Sequence, residues 1–189
     1  MVRIIAGEFK SRRLVSPRAA AARPTSDRVK ESLFGILSPR IEGARVLDLY
    51  AGTGNLGLEA LSRGAATCCF VERSPSPCAA IRKNAAALGL EGRAEVLRLD
   101  CARALGHLAQ RGDHFSLVFA DPPYAKKGES GSEFKKILLG LDVCATLAPG
   151  ALVAAEHCKF DAPPGGLVNL RLFDQRRYGD TVISFFAAP

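Results

Sequence analysis

The sequence predicts an α/β fold: a mostly parallel, Rossmann-like sheet that ends in an antiparallel pair. Three observations carry this. From residue 44 onward, short β-like apolar runs alternate with helix-length segments, the pattern of a parallel sheet with helices on both faces. Several strand runs are apolar at consecutive positions, such as Val46-Leu47 and Leu117-Val118-Phe119, as strands buried on both faces require. The last two β-like runs, 167–173 and 181–186, leave only residues 174–180 between them. A parallel pair needs a crossover of a dozen or more residues, so these two should pair antiparallel.

Taken in order, residues 1–15 hold two short β-like runs, 2–5 and 13–15, around Gly7, which read as a small hairpin. Ser26 or Asp27 can cap a helix over 28–37, with Glu31 supporting its start. Strands are expected at 45–50, 66–71, 94–99, 115–120 and 151–156. Helices are expected at 55–63, 76–88, 101–110 and 134–147, the last stopped by Pro149-Gly150. Five parallel strands followed by an antiparallel hairpin make the seven-stranded sheet of the class I methyltransferase fold. Two parts are expected: a basic extension over 1–25, and one domain of this fold over 26–189.

The formal net charge is +7, with a pI near 9.3. Residues 1–30 carry Arg3, Lys10, Arg12, Arg13, Arg18, Arg23, Arg28 and Lys30 against Glu8 and Asp27, so eight cations less two acids leave +6 there. Such an excess suggests a polyanionic partner. The six cysteines form no C-x-x-C pair and no cluster with histidine at metal-ligand spacing, so no metal is expected. Unpaired thiols without a signal peptide fit a reducing cytoplasm, and no apolar stretch is long enough for a membrane helix. A monomer is expected.

Chemistry is expected where strands end. Asp121-Pro122-Pro123-Tyr124 follows the run 115–120. A carboxylate, a carbonyl aimed by two rigid prolines and an aromatic face suit a planar base with an exocyclic amine. Alone, the tetrapeptide also reads as a strand-ending turn. Asp48-Leu49-Tyr50-Ala51-Gly52-Thr53-Gly54 ends the first strand, and its glycines let backbone approach a ligand. An acid beside the glycines disfavours phosphate and favours a cation. Glu72 and Asp100 end the next two strands, where they can take ribose hydroxyls and an adenine amine. The competing reading makes Asp100 a helix cap and Glu72 a surface acid. Four acids in register at one sheet edge favour a site. His107, His114 and His157 lie away from these motifs and read as surface or core residues.

These residues resemble a known family, the bacterial 16S rRNA guanine-N2 methyltransferases that modify guanine 966. The resemblance covers nearly the whole chain. Its landmarks are Arg3-Ile4-Ile5-Ala6-Gly7, Arg12-Arg13-Leu14, the segment from Arg23-Pro24-Thr25 through Asp27-Arg28-Val29-Lys30-Glu31, the glycine loop, Asp121-Pro122-Pro123-Tyr124, and Tyr178-Gly179-Asp180-Thr181. Ala6 stands where the family often has glycine, and the alanines 19–22 look like a local insertion. The resemblance implies that Asp48, Tyr50, Gly52, Gly54, Glu72, Asp100 and Cys101 bind S-adenosylmethionine, with Thr25 and Arg28 near its methionine end. It implies that Asp121, Pro122, Pro123 and Tyr124 hold the guanine. Arg3, Lys10, Arg12, Arg13, Arg18 and Arg23 would hold RNA phosphates, giving affinity rather than base choice. The implied partner is 16S rRNA, a small ribosomal subunit or an assembly intermediate. Two other readings stay open: a DNA adenine-N6 methyltransferase, and an inactive RNA-binding assembly factor on the same fold.

Overall fold

A computed structural model describes residues 2–17, 27–124 and 132–189. Seven strands form one sheet in the order β3-β2-β1-β4-β5-β7-β6. They are β1 (Arg45–Leu49), β2 (Thr67–Val71), β3 (Ala94–Leu97), β4 (Phe115–Ala120), β5 (Leu147–Cys158), β6 (Arg171–Tyr178) and β7 (Thr181–Ala187). The first five are parallel; β7 runs antiparallel to both β5 and β6. The helices are α1 (Asp27–Leu37), α2 (Asn55–Ser62), α3 (Pro75–Ala87), α4 (Cys101–Gln110) and α5 (Glu133–Val143).

Alternation along each central strand feeds two cores. Val46, Leu117 and Phe119 point to the core shared with α1, α2 and α3. Leu47, Leu49, Val118 and Ala120 point to the core shared with α4 and α5. That is why these strands read as unbroken apolar runs. After β3 the chain crosses to the far side of β1, and the reversal leaves a crevice at the carboxyl ends of β1 and β4, where open α/β sheets take ligands.

Several boundaries differ from expectation, among them the end of β3 at Leu97 instead of 99. The helix expected over 134–147 ends at Val143, and β5 begins at Leu147 instead of 151. Leu147 pairs with Phe115 across a register shift, and Gly150 at φ +69° carries the strand past Pro149. The sixth strand lies at Arg171–Tyr178, not 167–173, and only Gly179-Asp180 separates it from β7. It is an edge strand whose side chains Arg171, Asp174, Arg176 and Arg177 obscured its β character. Residues 168–170 instead donate three backbone N–H groups to the Asp142 carboxylate, at 2.7, 2.8 and 2.6 Å. The first strand stops at Leu49 because Tyr50 turns to φ +58°.

The N-terminal hairpin forms through an antiparallel bridge between Arg3 and Arg13. Val2, Ile4 and Leu14 are buried in the same core as α2. The hairpin is clamped to α2 by polar bonds as well. Ile5 and Ala6 N–H donate to Glu59 at 2.8 and 3.0 Å, and Glu8 N–H donates to the Ser62 carbonyl at 2.8 Å. Gly7 has φ +82°, and a Cβ there would lie 1.9 Å from the Ser62 carbonyl oxygen, so only glycine fits. Buried Glu59 also accepts from Lys30 Nζ (3.2 Å) and Arg63 Nε (2.8 Å). Lys30 Nζ donates onward to the Arg3 carbonyl (2.6 Å) and to Asn55 Oδ1 at the head of α2 (2.9 Å). No helix among the described residues is long and apolar enough to cross a membrane.

Candidate active site

The glycine loop leaves β1 at Tyr50, whose positive φ is costly for a bulky residue and is held by surrounding bonds. Ala51 N–H donates to the Val71 carbonyl at 3.0 Å, and Gly52 N–H donates to Glu72 Oε2 at 3.1 Å. The glycines serve different needs. Around Gly52 (φ +54°) there is open space, the opening a ligand requires. A Cβ on Gly54 (φ +78°) would meet Ile81, Leu58 and Phe70 at 3.2–3.3 Å, so Gly54 is required by its backbone and by the core behind it. Gly57, to which the sequence reading gave no role, seats α2 on β2: its Cβ would lie 2.3 Å from the Phe70 ring.

The four acids lie along this sheet edge, and the carboxylates of Asp48, Glu72 and Asp100 already hold backbone. Asp48 is 1% exposed, and its Oδ2 accepts the Gly57 N–H at 2.9 Å. Burial pushes its carboxyl up to about 7; the Gly57 bond opposes this and the charge of Glu72 adds to it. Glu72 accepts from Gly52 with one oxygen and from Ser74 N–H (2.7 Å) with the other, tying two loops together. Asp100 caps α4, accepting from Ala102 N–H at 3.0 Å. The capping reading is therefore correct, and the one bond it uses leaves acceptor capacity over. Cys101 is buried at the first turn of α4, and burial pushes its thiol up to about 12. The Tyr50 hydroxyl donates to Glu133 at 3.3 Å.

On the other side of the crevice, Asp121 follows β4, its N–H 3.4 Å from the Leu49 carbonyl. Burial, then Glu156, then Asp48 hold its carboxyl well above the usual carboxylate range. Pro122 is buried and Pro123 exposed. Tyr124 is 44% exposed, and its hydroxyl lies 2.6 Å from Glu156 Oε1 and 2.7 Å from Thr181 Oγ1. Open backbone at Gly52 ringed by carboxylates suits a cation bearing hydroxyls and an amine, and repels phosphate.

Thr25, Arg18 and Arg23 lie outside the described residues. Arg28 is an exposed position of α1. Arg3 pairs with Asp27 at 2.8 Å, and Arg12 donates to the Ala87 carbonyl at 3.2 Å, so these two cations already serve the fold. Lys10 and Arg13 are exposed on the hairpin. His157 is a core residue, stacked on Phe134 at 4.1 Å between ring centroids and bonded to Ser184. Sequence reading missed Lys30, Glu59 and Glu156. A lysine or glutamate on an amphipathic helix, or at a strand end, gives no sign of its burial or of its distant partner. Among the described residues no group of three or more His, Cys, Asp or Glu could hold a metal ion.

Known proteins are similar to this chain in sequence and fold. The family model described as "Conserved hypothetical protein 95" matches residues 2–187. The chain is 36% identical over 185 residues to "Putative rRNA methyltransferase YlbH" of Bacillus subtilis (strain 168), spanning 98% of each. It is 42% identical over 125 residues to "Ribosomal RNA small subunit methyltransferase D" of Escherichia coli (strain K12), a match covering 66% of this chain and 61% of that one. The solved structure of "Putative methyltransferase yhhF from Escherichia coli" superposes with a TM-score of 0.82 at 34% identity, covering 99% and 97% of the two chains. The chain belongs to the Conserved hypothetical protein 95 family and has the class I methyltransferase fold.

Proposed function

From membership of that family and from the two-sided crevice, we propose that the chain transfers a methyl group from S-adenosylmethionine to the N2 amine of a guanine in small-subunit (16S) rRNA. The observation that carries this is the placement of Asp121-Pro122-Pro123-Tyr124 directly across from the acid-lined glycine loop, at the sheet's point of reversal. The relatives' names supply the RNA; the Escherichia coli match spans 61% of that protein's length.

Bound S-adenosylmethionine supplies a sulfonium-borne methyl group. Asp48, Glu72 and Asp100 would hold it, through its ammonium, ribose hydroxyls and adenine amine respectively. A cation in the crevice favours ionised Asp48 and Asp121, reversing the effect of burial. Ionised Asp121 and the Pro122 carbonyl then accept the two amine hydrogens of guanine. This draws the nitrogen lone pair out of conjugation and aims it at the methyl carbon. As that nitrogen gains the methyl group, Asp121 would take up the departing amine proton. Tyr124 stacks on the base. Exposed Lys10 and Arg13 would hold phosphates without reading sequence.

The test uses the purified full chain, labelled S-adenosylmethionine, and small subunits from a strain lacking the modification. The expected product after digestion is N2-methylguanosine by mass spectrometry. No transfer, or transfer only to adenine N6 of DNA, would overturn the proposal.

A further inference from the structure

The conspicuous turn Tyr178-Gly179-Asp180-Thr181 and the end of β5 play no part in the scheme above. The sheet nevertheless brings both to the base side of the crevice. Thr181 opens β7 and lies opposite Cys158 of β5 and Tyr178 of β6. Glu156 sits on β5 opposite Ile183. From these positions Glu156 Oε1 and Thr181 Oγ1 meet the same atom, the Tyr124 hydroxyl, at 2.6 and 2.7 Å. The phenol has one proton. Tyr124 donates it to the Glu156 carboxylate and accepts from the Thr181 hydroxyl, so both directions of the hydroxyl are used. The Tyr178 hydroxyl bonds Ser32 Oγ, which anchors the turn to α1. The outer end of the Tyr124 ring is thus held from two strands, while the residue stays 44% exposed. A side chain on the exposed exit of a strand would otherwise sample several rotamers, and stacking would have to order it at a cost in affinity.

We propose that Glu156 and Thr181 are positioning residues that lock Tyr124 as a preset stacking platform for the extruded base, with Glu156 mounted on β5 and Thr181 on the 178–181 turn. This rests on the guanine-methylation reading. Thr181 reaches the base only through Tyr124; Glu156 also bears on the charge of Asp121, an effect that Glu156→Ala and Glu156→Gln share and that Tyr124→Phe leaves untouched. Their removal should therefore weaken handling of RNA and leave S-adenosylmethionine binding alone.

The experiment measures kcat/KM for small subunits, with cofactor affinity by calorimetry and thermal midpoints as controls. Tyr124→Phe keeps the ring and loses the clamp; Glu156→Ala removes the acceptor; Glu156→Gln restores an acceptor oxygen. We expect Tyr124→Phe and Glu156→Ala each to lower kcat/KM about tenfold, the scale of one charge-assisted hydrogen bond. The double variant should be no worse than either single one, because both cut the same link. Glu156→Gln should recover most of the activity, Thr181→Val should lose a few-fold, and cofactor affinity should hold throughout. Tyr124→Phe or Glu156→Ala within twofold of wild type would overturn the inference. So would multiplicative losses in the double variant, or failure of Glu156→Gln to recover activity. Failure of the underlying reading looks different: the wild type itself then makes no N2-methylguanosine, and both proposals fall.

Discussion

Asp48→Asn separates the cost of a buried charge from its use. Asp48 is 1% exposed and bonded to Gly57 N–H, and its carboxyl is pushed from 3.8 to about 7 in the folded chain, chiefly by burial. In the unfolded chain it ionises at its ordinary value. Below pH about 4 both states carry the proton, and Asp48 contributes no pH dependence. Between about 4 and about 7 the unfolded chain has lost the proton while the folded chain keeps it, so stability falls as pH rises. Above about 7 the full penalty is present. It is about 4 kcal/mol, from the shift of roughly three units at about 1.4 kcal/mol each. Asparagine keeps an oxygen for the Gly57 N–H and cannot ionise. The variant should match wild type at pH 4.5 within about 1 kcal/mol and be more stable by up to about 4 kcal/mol at pH 8. Denaturant unfolding at the two pH values measures the difference.

The same substitution should weaken cofactor binding at pH 8, because a cation loses its buried counter-charge. Calorimetry at pH 6 in buffers of different ionisation enthalpy should show proton release on binding for wild type, and less of it for Asp48→Asn. If the stability gap does not widen between pH 4.5 and 8, Asp48 is not a buried titrating acid and the electrostatic account of the crevice fails.

Asp121→Ala should lower the methylation rate by about 10²–10³, the scale of losing one positioned polar group, well beyond the loss of cofactor affinity that calorimetry reads. Glu72→Ala should cost a few kcal/mol of cofactor binding, because it loses a ligand contact and frees the Gly52 and Ser74 N–H groups that it now holds. Deleting residues 2–17 should destabilise the fold by about 5 kcal/mol or more, read by thermal melting. It removes buried Val2, Ile4 and Leu14, at about 1.5–3 kcal/mol each, and two donors to buried Glu59. Lys10→Ala with Arg13→Ala should leave stability intact. In filter binding it should make the slope of log affinity against log salt shallower by about 1.4, two phosphate contacts at roughly 0.7 each.

Much of this architecture was legible because parallel strands and the acids at their ends leave local marks. Val46-Leu47 and Leu117-Val118-Phe119 announce burial on both faces, and Asp48, Glu72, Asp100 and Asp121 fall at or near the carboxyl ends of the first four strands. What escaped depends on partners far along the chain. Lys30 reads as a solvated helix charge until Glu59, twenty-nine residues on, meets it in the core. Glu156 reads as a strand-end acid until Tyr124 reaches it. Strand β6 was misplaced because this edge strand has no buried residue, so its sequence shows no alternating apolar period. The alternative between capping and binding at Asp100 was itself false, since an N-cap uses one lone pair of a carboxylate that has several.

The same lesson revises the basic N-terminus. Counting charge made residues 1–25 a basic extension for RNA, separate from the domain that follows. Yet Arg3 is spent on Asp27, Arg12 on a carbonyl of α3, and the backbone between them on Glu59 and Ser62. Through Glu59 and Lys30 the hairpin reaches Asn55, the residue that starts α2 immediately after the glycine loop. A segment so connected cannot be deleted to test RNA affinity alone, because its loss disturbs the frame of the cofactor loop. The exposed pair Lys10 and Arg13 can be neutralised without touching that frame. If the double substitution leaves the salt slope unchanged while methylation persists, phosphate binding lies elsewhere, and the cations of the hairpin serve how it is held rather than what it holds.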